Sequence, residues 1–300
     1  MSADKAVGET IPPDIPAAQS EPPETQEQTN RGVARATGIL ALGNVSSRVL
    51  GLLREIVIAN LFGISGATDA YRVAILVPKN LYDLLIGGHV NGAIIPVLSE
   101  VEARQGRDEL WRLVSVLISM LTAILAVLAL LLEISAPAVV RAVSGGSSTQ
   151  TLELAATLLR ITTPALIFMG LFAILSGTLY ALRSFTWPAF GTAIFNAAIV
   201  VFALIFAPAR DAVVVWQWDS AGWTFARPDQ GIVVVAAGWL VGSNAYTLLQ
   251  LPGLRGARLR FTLDWRHPAI RRMGMLYIPV MFSLVLDTLV IRVFSYNLAS

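Results

Sequence analysis

Three charged side chains sit inside a stretch that is otherwise apolar. The run ATGILALGNVSSRVLGLLREIVIANLFG, residues 36–63, carries Arg48, Arg54 and Glu55. A charge at mid-bilayer costs about 2.5–3.5 kcal/mol on insertion scales, so three in one helix need partners or water. Asn44, Arg48 and Glu55 recur at i, i+4 and i+11, close to one helical face, while Arg54 falls on another flank with Ser47 and Gly43. The next apolar run has its own stripe. Asp69, Arg72, Asn80, Asp83 and Gly87 gather within about a third of a helix circumference, with Lys79 at the edge. Pro78 removes a backbone donor and Gly87–Gly88 weakens the helix, so a kink or break is expected there. Several cations, an acid and a broken helix point to a water-filled cationic cavity. Such a cavity attracts an anion, and guanidinium grips phosphate through paired hydrogen bonds. The structural alternatives are ion pairs (Arg48–Glu55 or Arg72–Asp69) that fix helix register, and arginines such as Arg54, Arg72 or Arg112 that snorkel to an interface.

Other signals are plainer. Gly43, Ser47 and Gly51 form a small-residue ladder that permits close helix packing, and Asn196 reads as a hydrogen bond between helices. Arg160 precedes Thr162, Thr163 and Pro164 and either snorkels or lines the cavity. Asp287 and Arg292 lie five apart in the last apolar run, and Arg292 joins the candidate substrate-binding residues. His89 beside Gly88 is more simply a polar contact near a helix break than a proton relay. The chain has no cysteine and two histidines, which excludes thiol chemistry and makes a multi-histidine metal centre improbable. Nucleotide-binding loops, serine elbows, paired-histidine zinc helices and dinucleotide fingerprints are absent from the sequence. The chain therefore reads as a non-enzyme with no cofactor and no nucleic-acid partner.

The elements that must hold these residues follow from composition. Of 300 residues, 55% are hydrophobic and 14% charged, against roughly 25% charged in soluble domains. Runs of about 20 apolar residues span a bilayer as helices. Seven are expected: 37–63, 68–100, 112–140, 152–182, 187–208, 231–252 and 273–298. The fold class is all-α, a polytopic membrane helix bundle. Residues 1–36 hold six acids, three bases and five prolines, and read as a disordered cytoplasmic tail. Basic residues set the orientation. Twelve of them, among them Arg35, Arg104, Arg183 and six within 253–272, fall on one side, against Arg141, Arg210 and Arg227 on the other. Positive loops stay inside, so the N-terminus is cytoplasmic and the C-terminus external. Trp216, Trp218 and Trp223 in the 209–230 loop suit the outer headgroup region. Residues 253–272 read as a cytoplasmic amphipathic linker lying on anionic lipid.

The run SSRVLGLLREIVIANLFGISGATDAYRVAILVPKNLYDLL at 46–85 resembles the first two helices of the MurJ (MviN) lipid II flippases. IIPVLSEVEARQG at 94–106, LLRITTPALIF at 158–168, WPAF at 187–190 with Asn196, and LPGLRGARLR at 251–260 are similar to later parts of that family, in order. The resemblance covers about 37–300. It implies the N-lobe of a multidrug/oligosaccharidyl-lipid/polysaccharide exporter fold. Residues 37–252 would form the six-helix lobe, and 273–300 the seventh helix that begins a second lobe.

The implied activity is moving undecaprenyl-diphosphate-linked muropeptide from the inner to the outer leaflet of the bacterial cytoplasmic membrane by alternating access. Carried over by position, Arg48, Arg54 and Asp69 match cavity residues of the family. The arginines would receive the substrate's anions, and the aspartate would tune them. This chain departs from the pattern at three positions. Tyr82 stands where the family usually has arginine, Gly87 where glutamate is frequent, and Leu76 at a lysine position. Arg72 and Lys79, a turn or less away, are the candidate replacements. The expected partners are the lipid-linked muropeptide, membrane lipids and a second lobe, the last supplied by another chain or a longer product. Coupling would be to membrane potential, protons or sodium. The alternatives are export of another polyprenyl-linked glycan or amphiphile, and a truncated membrane protein that transports nothing.

Overall fold

A computed structural model describes residues 26–63, 65–86, 94–144, 146–206, 213–217, 222–226 and 231–262. Eight α-helices run through them: α1 Gln26–Phe62, α2 Gly66–Leu85, α3 Ile95–Gln105, α4 Arg107–Ser144, α5 Thr149–Thr162, α6 Ala165–Ala181, α7 Thr186–Phe206 and α8 Ile232–Leu248. A 3-10 turn, Leu251–Leu254, follows α8. An antiparallel hairpin, β1 Val213–Gln217 and β2 Gly222–Ala226, joins α7 to α8. The fold is therefore helical with one small hairpin in what the sequence reads as a plain loop.

Among the described residues, five segments are long and apolar enough to cross a membrane: 30–62, 107–144, 149–181, 186–206 and 232–254. Four of the seven expected spans correspond closely to α1, α4, α7 and α8. Two others are divided. The 68–100 span is α2 and α3; α2 passes through Pro78 and stops at Leu85, just before Gly87–Gly88. The 152–182 span is α5 and α6, which meet at Thr163–Pro164. Proline cannot donate to the preceding turn. The carbonyl of Leu159 accepts from both the amide and the hydroxyl of Thr163, at 2.8 and 2.7 Å, and from the hydroxyl of Thr162 at 3.1 Å, which ties the turn together ahead of the proline. The seventh span, with Asp287 and Arg292, lies outside the described residues, as do residues 1–25 of the tail.

Two boundaries differ from the sequence reading. α1 begins at Gln26, so residues 26–36 are helical and do not belong to an irregular tail. The last helix-breaking proline is Pro23, and the Gln, Glu, Arg and Ala that follow carry the helix outward without needing an apolar face. The described part of the linker expected over 253–272 opens in the 3-10 turn and then leaves helical structure. Residues 257–262 have no regular secondary structure and lie along α4. The amides of Arg260 and Thr262, two residues apart, donate to the hydroxyls of Ser115 and Ser119 at 3.0 and 2.9 Å. Those serines, one helical turn apart, in turn donate to carbonyls of their own helix.

Packing follows residue size. Ala67, Ala70 and Ala74 on α2 and Ala155 and Ala156 on α5 are buried in one cluster, where small side chains let the two backbones approach. Thr162 bridges the pair by donating to the carbonyl of Ala74 at 3.2 Å. α7 packs on both α1 and α8. A second cluster, with Val97, Leu98, Leu110, Trp111, Leu179 and Leu254, closes the end of the bundle where α3, α4, α6 and the 3-10 turn meet. The outer side of α4 exposes Val127, Leu130, Leu131 and Ile134, as a lipid-facing surface does.

Candidate functional site

The seam between α1 and α7 is tight because α1 presents glycine to it. A Cβ added at Gly43 would stand 2.3 Å from the carbonyl oxygen of Ala189, a contact only glycine permits. One turn on, the backbone carbonyl of Ser47 accepts from the Asn196 side chain at 3.3 Å. The oxygen of the same amide accepts from Arg54 Nη1 at 2.9 Å. Asn196 is 5% exposed and does join helices, as its position suggests.

Arg54 therefore points into the lobe. Its Nη2 donates to Glu55 at 2.6 Å, and its guanidinium carbon lies 5.8 Å from the ring centroid of Trp239 on α8. Trp239 in turn meets Phe195 edge to face at 4.9 Å. The Arg54 side chain is 18% exposed. Its Nε, the Tyr71 hydroxyl and the Trp239 ring nitrogen are buried and without a hydrogen-bond partner among the described residues. The sequence pairs Glu55 with Arg48, but the structure pairs it with Arg54. Trp239 and Tyr71 are neighbours the sequence reading does not name, because they come from α8 and α2.

Arg48 behaves differently. It lies on the exposed face of α1 with Asn44 and Glu55, and it makes no ion pair or side-chain hydrogen bond among the described residues. The face it shares is otherwise apolar, exposing Val45, Val49, Leu52 and Ile56.

α2 carries a polar face of its own. Ser65 caps the helix by accepting from the Thr68 amide at 3.4 Å, and Thr68 ties back to the carbonyl of Gly63 at 3.0 Å. Gly63 takes a φ of 62°, the left-handed geometry that turns the chain from α1 into α2. The cap sets the helix phase. Ala67, Ala70, Tyr71, Ala74 and Pro78 are buried, and Asp69, Arg72, Leu76, Lys79, Asn80 and Asp83 are exposed. The sequence stripe is thus one continuous exposed face. Asp69 sits in the first turn, where the helix dipole favours an acid. Lys79 and Asp83 pair at 2.6 Å, each about half exposed. Asp69 and Arg72 form no ion pair with each other. Arg160 donates from Nε to the carbonyl of Glu133 on α4 at 3.3 Å, on an exposed surface. Gly87 and His89 lie outside the described residues, as does Arg292. The structure brings Arg48, Asp69, Arg72 and Lys79 onto exposed helix faces and draws Arg54 into the packed interior.

The model of the family "Lipid II flippase MurJ" matches residues 58–300. The chain belongs to the MurJ family. A lipid II flippase MurJ from Burkholderia cenocepacia is 32% identical over 264 residues, which are 85% of this chain and 47% of that protein. A probable lipid II flippase MurJ from Synechocystis is 28% identical over 84% of this chain and 48% of its own length. A solved structure of lipid II flippase MurJ in an inward closed conformation superposes with a TM-score of 0.64 at 25% identity. It covers 82% of this chain and 47% of its own. The chain spans about half the length of the curated MurJ relatives it matches. MurJ membership and the apolar helices make it a multi-pass protein of the inner membrane.

Proposed function

We propose that this chain contributes the N-terminal half of a lipid II flippase. It would help move undecaprenyl-diphosphate-linked muropeptide from the inner to the outer leaflet. The observation that carries the reading is the exposed polar face of α2, Asp69–Arg72–Lys79, together with the unpaired Arg48 of α1. Arg48 and Arg72 are the cations free to meet a diphosphate. Arg54, already engaged by Asn196 and Glu55, acts as a positioning residue that holds α1 on α7 and α8. A facing lobe, in this polypeptide or another, completes the cavity. Transport requires no catalytic residue; membrane potential, protons or sodium would drive it, the potential supplying about 2.3 kcal/mol per charge per 100 mV.

Two measurements test this. The 300-residue chain in nanodiscs should bind lipid II, and Arg48→Ala with Arg72→Ala should weaken that binding at least tenfold. Unchanged binding would discard the site, and tighter binding of another polyprenyl-linked glycan would reassign the substrate. The proposed orientation places Arg35, Arg183 and Arg255 in the cytoplasm. Because the chain has no cysteine, single cysteines placed beside them can be labelled cleanly. Labelling by an impermeant reagent from the outside would reverse the orientation.

A further inference from the structure

A second basic feature lies far from the cavity face. Near the start of α1, a cleft of about 900 Å³ opens between that helix and the turn joining α6 to α7. Its apolar wall is Val33, Ile39, Leu40 and Phe185; its polar wall is Arg35 and Arg183 with the hydroxyls of Thr37, Ser184 and Thr186. No acid lines it. Neither arginine has an ion-pair or side-chain hydrogen-bond partner among the described residues, and both are exposed. α7 begins at Thr186, so the positive end of its dipole adds to the field at the rim.

Arg183 is held there at a conformational cost. The turn is a Schellman cap: the Ser184 amide donates to the carbonyl of Leu179 at 2.8 Å and the Arg183 amide to that of Tyr180 at 3.0 Å. The residue at Arg183's place takes a left-handed conformation and is usually glycine. Here it is arginine at a φ of 57°, and among the described residues no other non-glycine has positive φ. A strained residue that a glycine would relieve is the kind retained for its side chain.

The cleft is not the flippase cavity. Arg35 and Arg48 are thirteen residues apart, which places them about 140° apart around α1 and roughly 20 Å apart along its axis. We propose that the cleft seats the phosphate headgroup of an anionic glycerophospholipid, with the first methylenes of its tails on Val33, Ile39, Leu40 and Phe185. A soluble phosphate would leave that apolar wall unused. On the orientation proposed above, the lipid comes from the inner leaflet; the binding itself does not depend on transport.

The test uses the 300-residue chain in neutral detergent, titrated separately with phosphatidylglycerol, phosphatidylcholine and undecaprenyl diphosphate and read by native mass spectrometry. Phosphatidylglycerol should bind at least tenfold tighter than phosphatidylcholine. The double variant Arg35→Gln/Arg183→Gly should lose that preference while melting no lower than the parent, since glycine suits the turn. Arg35→Gln alone, on an exposed helix face, should give a partial loss, which keeps the test informative if the double variant does not fold. Arg48→Ala should weaken undecaprenyl diphosphate and leave phosphatidylglycerol unchanged, so failure of the flippase reading appears in a different arm. Equal binding of the two phospholipids, or a double variant that keeps full phosphatidylglycerol affinity, overturns the proposal. So does a double variant that loses only undecaprenyl diphosphate, because the cleft would then belong to the substrate.

Discussion

Replacing Asn196 with leucine should unpick the α1–α7 seam at its polar centre. The substitution keeps the branch at Cγ, in a larger side chain, and removes two hydrogen bonds: the one accepted from Arg54 at 2.9 Å and the one donated to the Ser47 carbonyl at 3.3 Å. Interhelical side-chain bonds within membrane proteins average about 0.6 kcal/mol and reach about 1.7. The Arg54 bond belongs at or above the top of that range. Bonds to charged groups are worth about 1.5–3 kcal/mol, and guanidinium cannot shed its proton to escape. Nor has it slack elsewhere, since Nε is already buried without a partner and only Glu55 would remain. The Ser47 bond is long and adds a few tenths. Asn196→Leu should therefore cost about 2 kcal/mol. Asn196→Asp keeps the acceptor and gains a charge for Arg54, but it sets a carboxylate oxygen against the Ser47 carbonyl. It should cost less than the leucine variant.

The assay is denaturant unfolding in mixed micelles, followed by tryptophan emission, with Trp239 close enough to Arg54 to report on it. Combining Arg54→Ala with Asn196→Leu closes a double-mutant cycle. The coupling should be about 1.5 kcal/mol, because each single change removes the same bond. An Asn196→Leu midpoint indistinguishable from the parent, or strict additivity in the cycle, would refute the placement of Arg54 inside the lobe.

Two further outcomes test the packing. Gly43→Val puts atoms where the Ala189 carbonyl stands; overpacking of this kind costs about 1–3 kcal/mol, visible as a lower melting temperature, and a neutral result would mean the helices are not in contact there. Ser115→Ala with Ser119→Ala leaves the Arg260 and Thr262 amides without acceptors. Losing a bond worth about 1 kcal/mol should speed exchange of each amide roughly fivefold in hydrogen–deuterium mass spectrometry, and unchanged protection over 257–262 would show that the segment is not strapped to α4.

What the sequence allowed differs residue by residue. The polar face of α2 was legible because a 3.6-residue period fixes which side chains share a face, whatever lies opposite. The end of α2 was legible in Gly87–Gly88, whereas Pro78 did not stop the helix; it is buried within it. The hairpin is not distinguishable from a loop in the sequence, although Val213–Val215 is β-branched, because the three nearby tryptophans equally suit a headgroup-facing loop. Arg54 is the instructive case. Its spacing puts it on one flank with Ser47 and Gly43, and the ladder of Gly43, Ser47 and Gly51 marks a packed face. Those two facts together place Arg54 in a helix seam. Taken separately, they leave it looking like a second cavity cation. Its partners were beyond reach of periodicity, since Asn196 and Trp239 lie 142 and 185 residues further along the chain.

The exposed stripe of α2 decides which solvent it can face. Asp69, Arg72, Lys79 and Asp83 are all exposed, and α2 is not among the segments apolar enough to cross a membrane. Four charges facing hydrocarbon at mid-depth would cost about 10 kcal/mol even on the lenient insertion scale. That equals the whole stability of a typical domain. The Lys79–Asp83 pair offsets part of that cost for two of the four charges and leaves Asp69 and Arg72 without an ion-pair partner among the described residues. Lipid can therefore cover α4, with its exposed Val127, Leu130 and Ile134, but not this side of α2. The stripe borders water or protein, and Arg48 and Glu55 carry the same cost on a face of α1 that otherwise exposes Val45, Val49, Leu52 and Ile56. The proposed aqueous, cation-bearing vestibule would satisfy the charged residues of both helices.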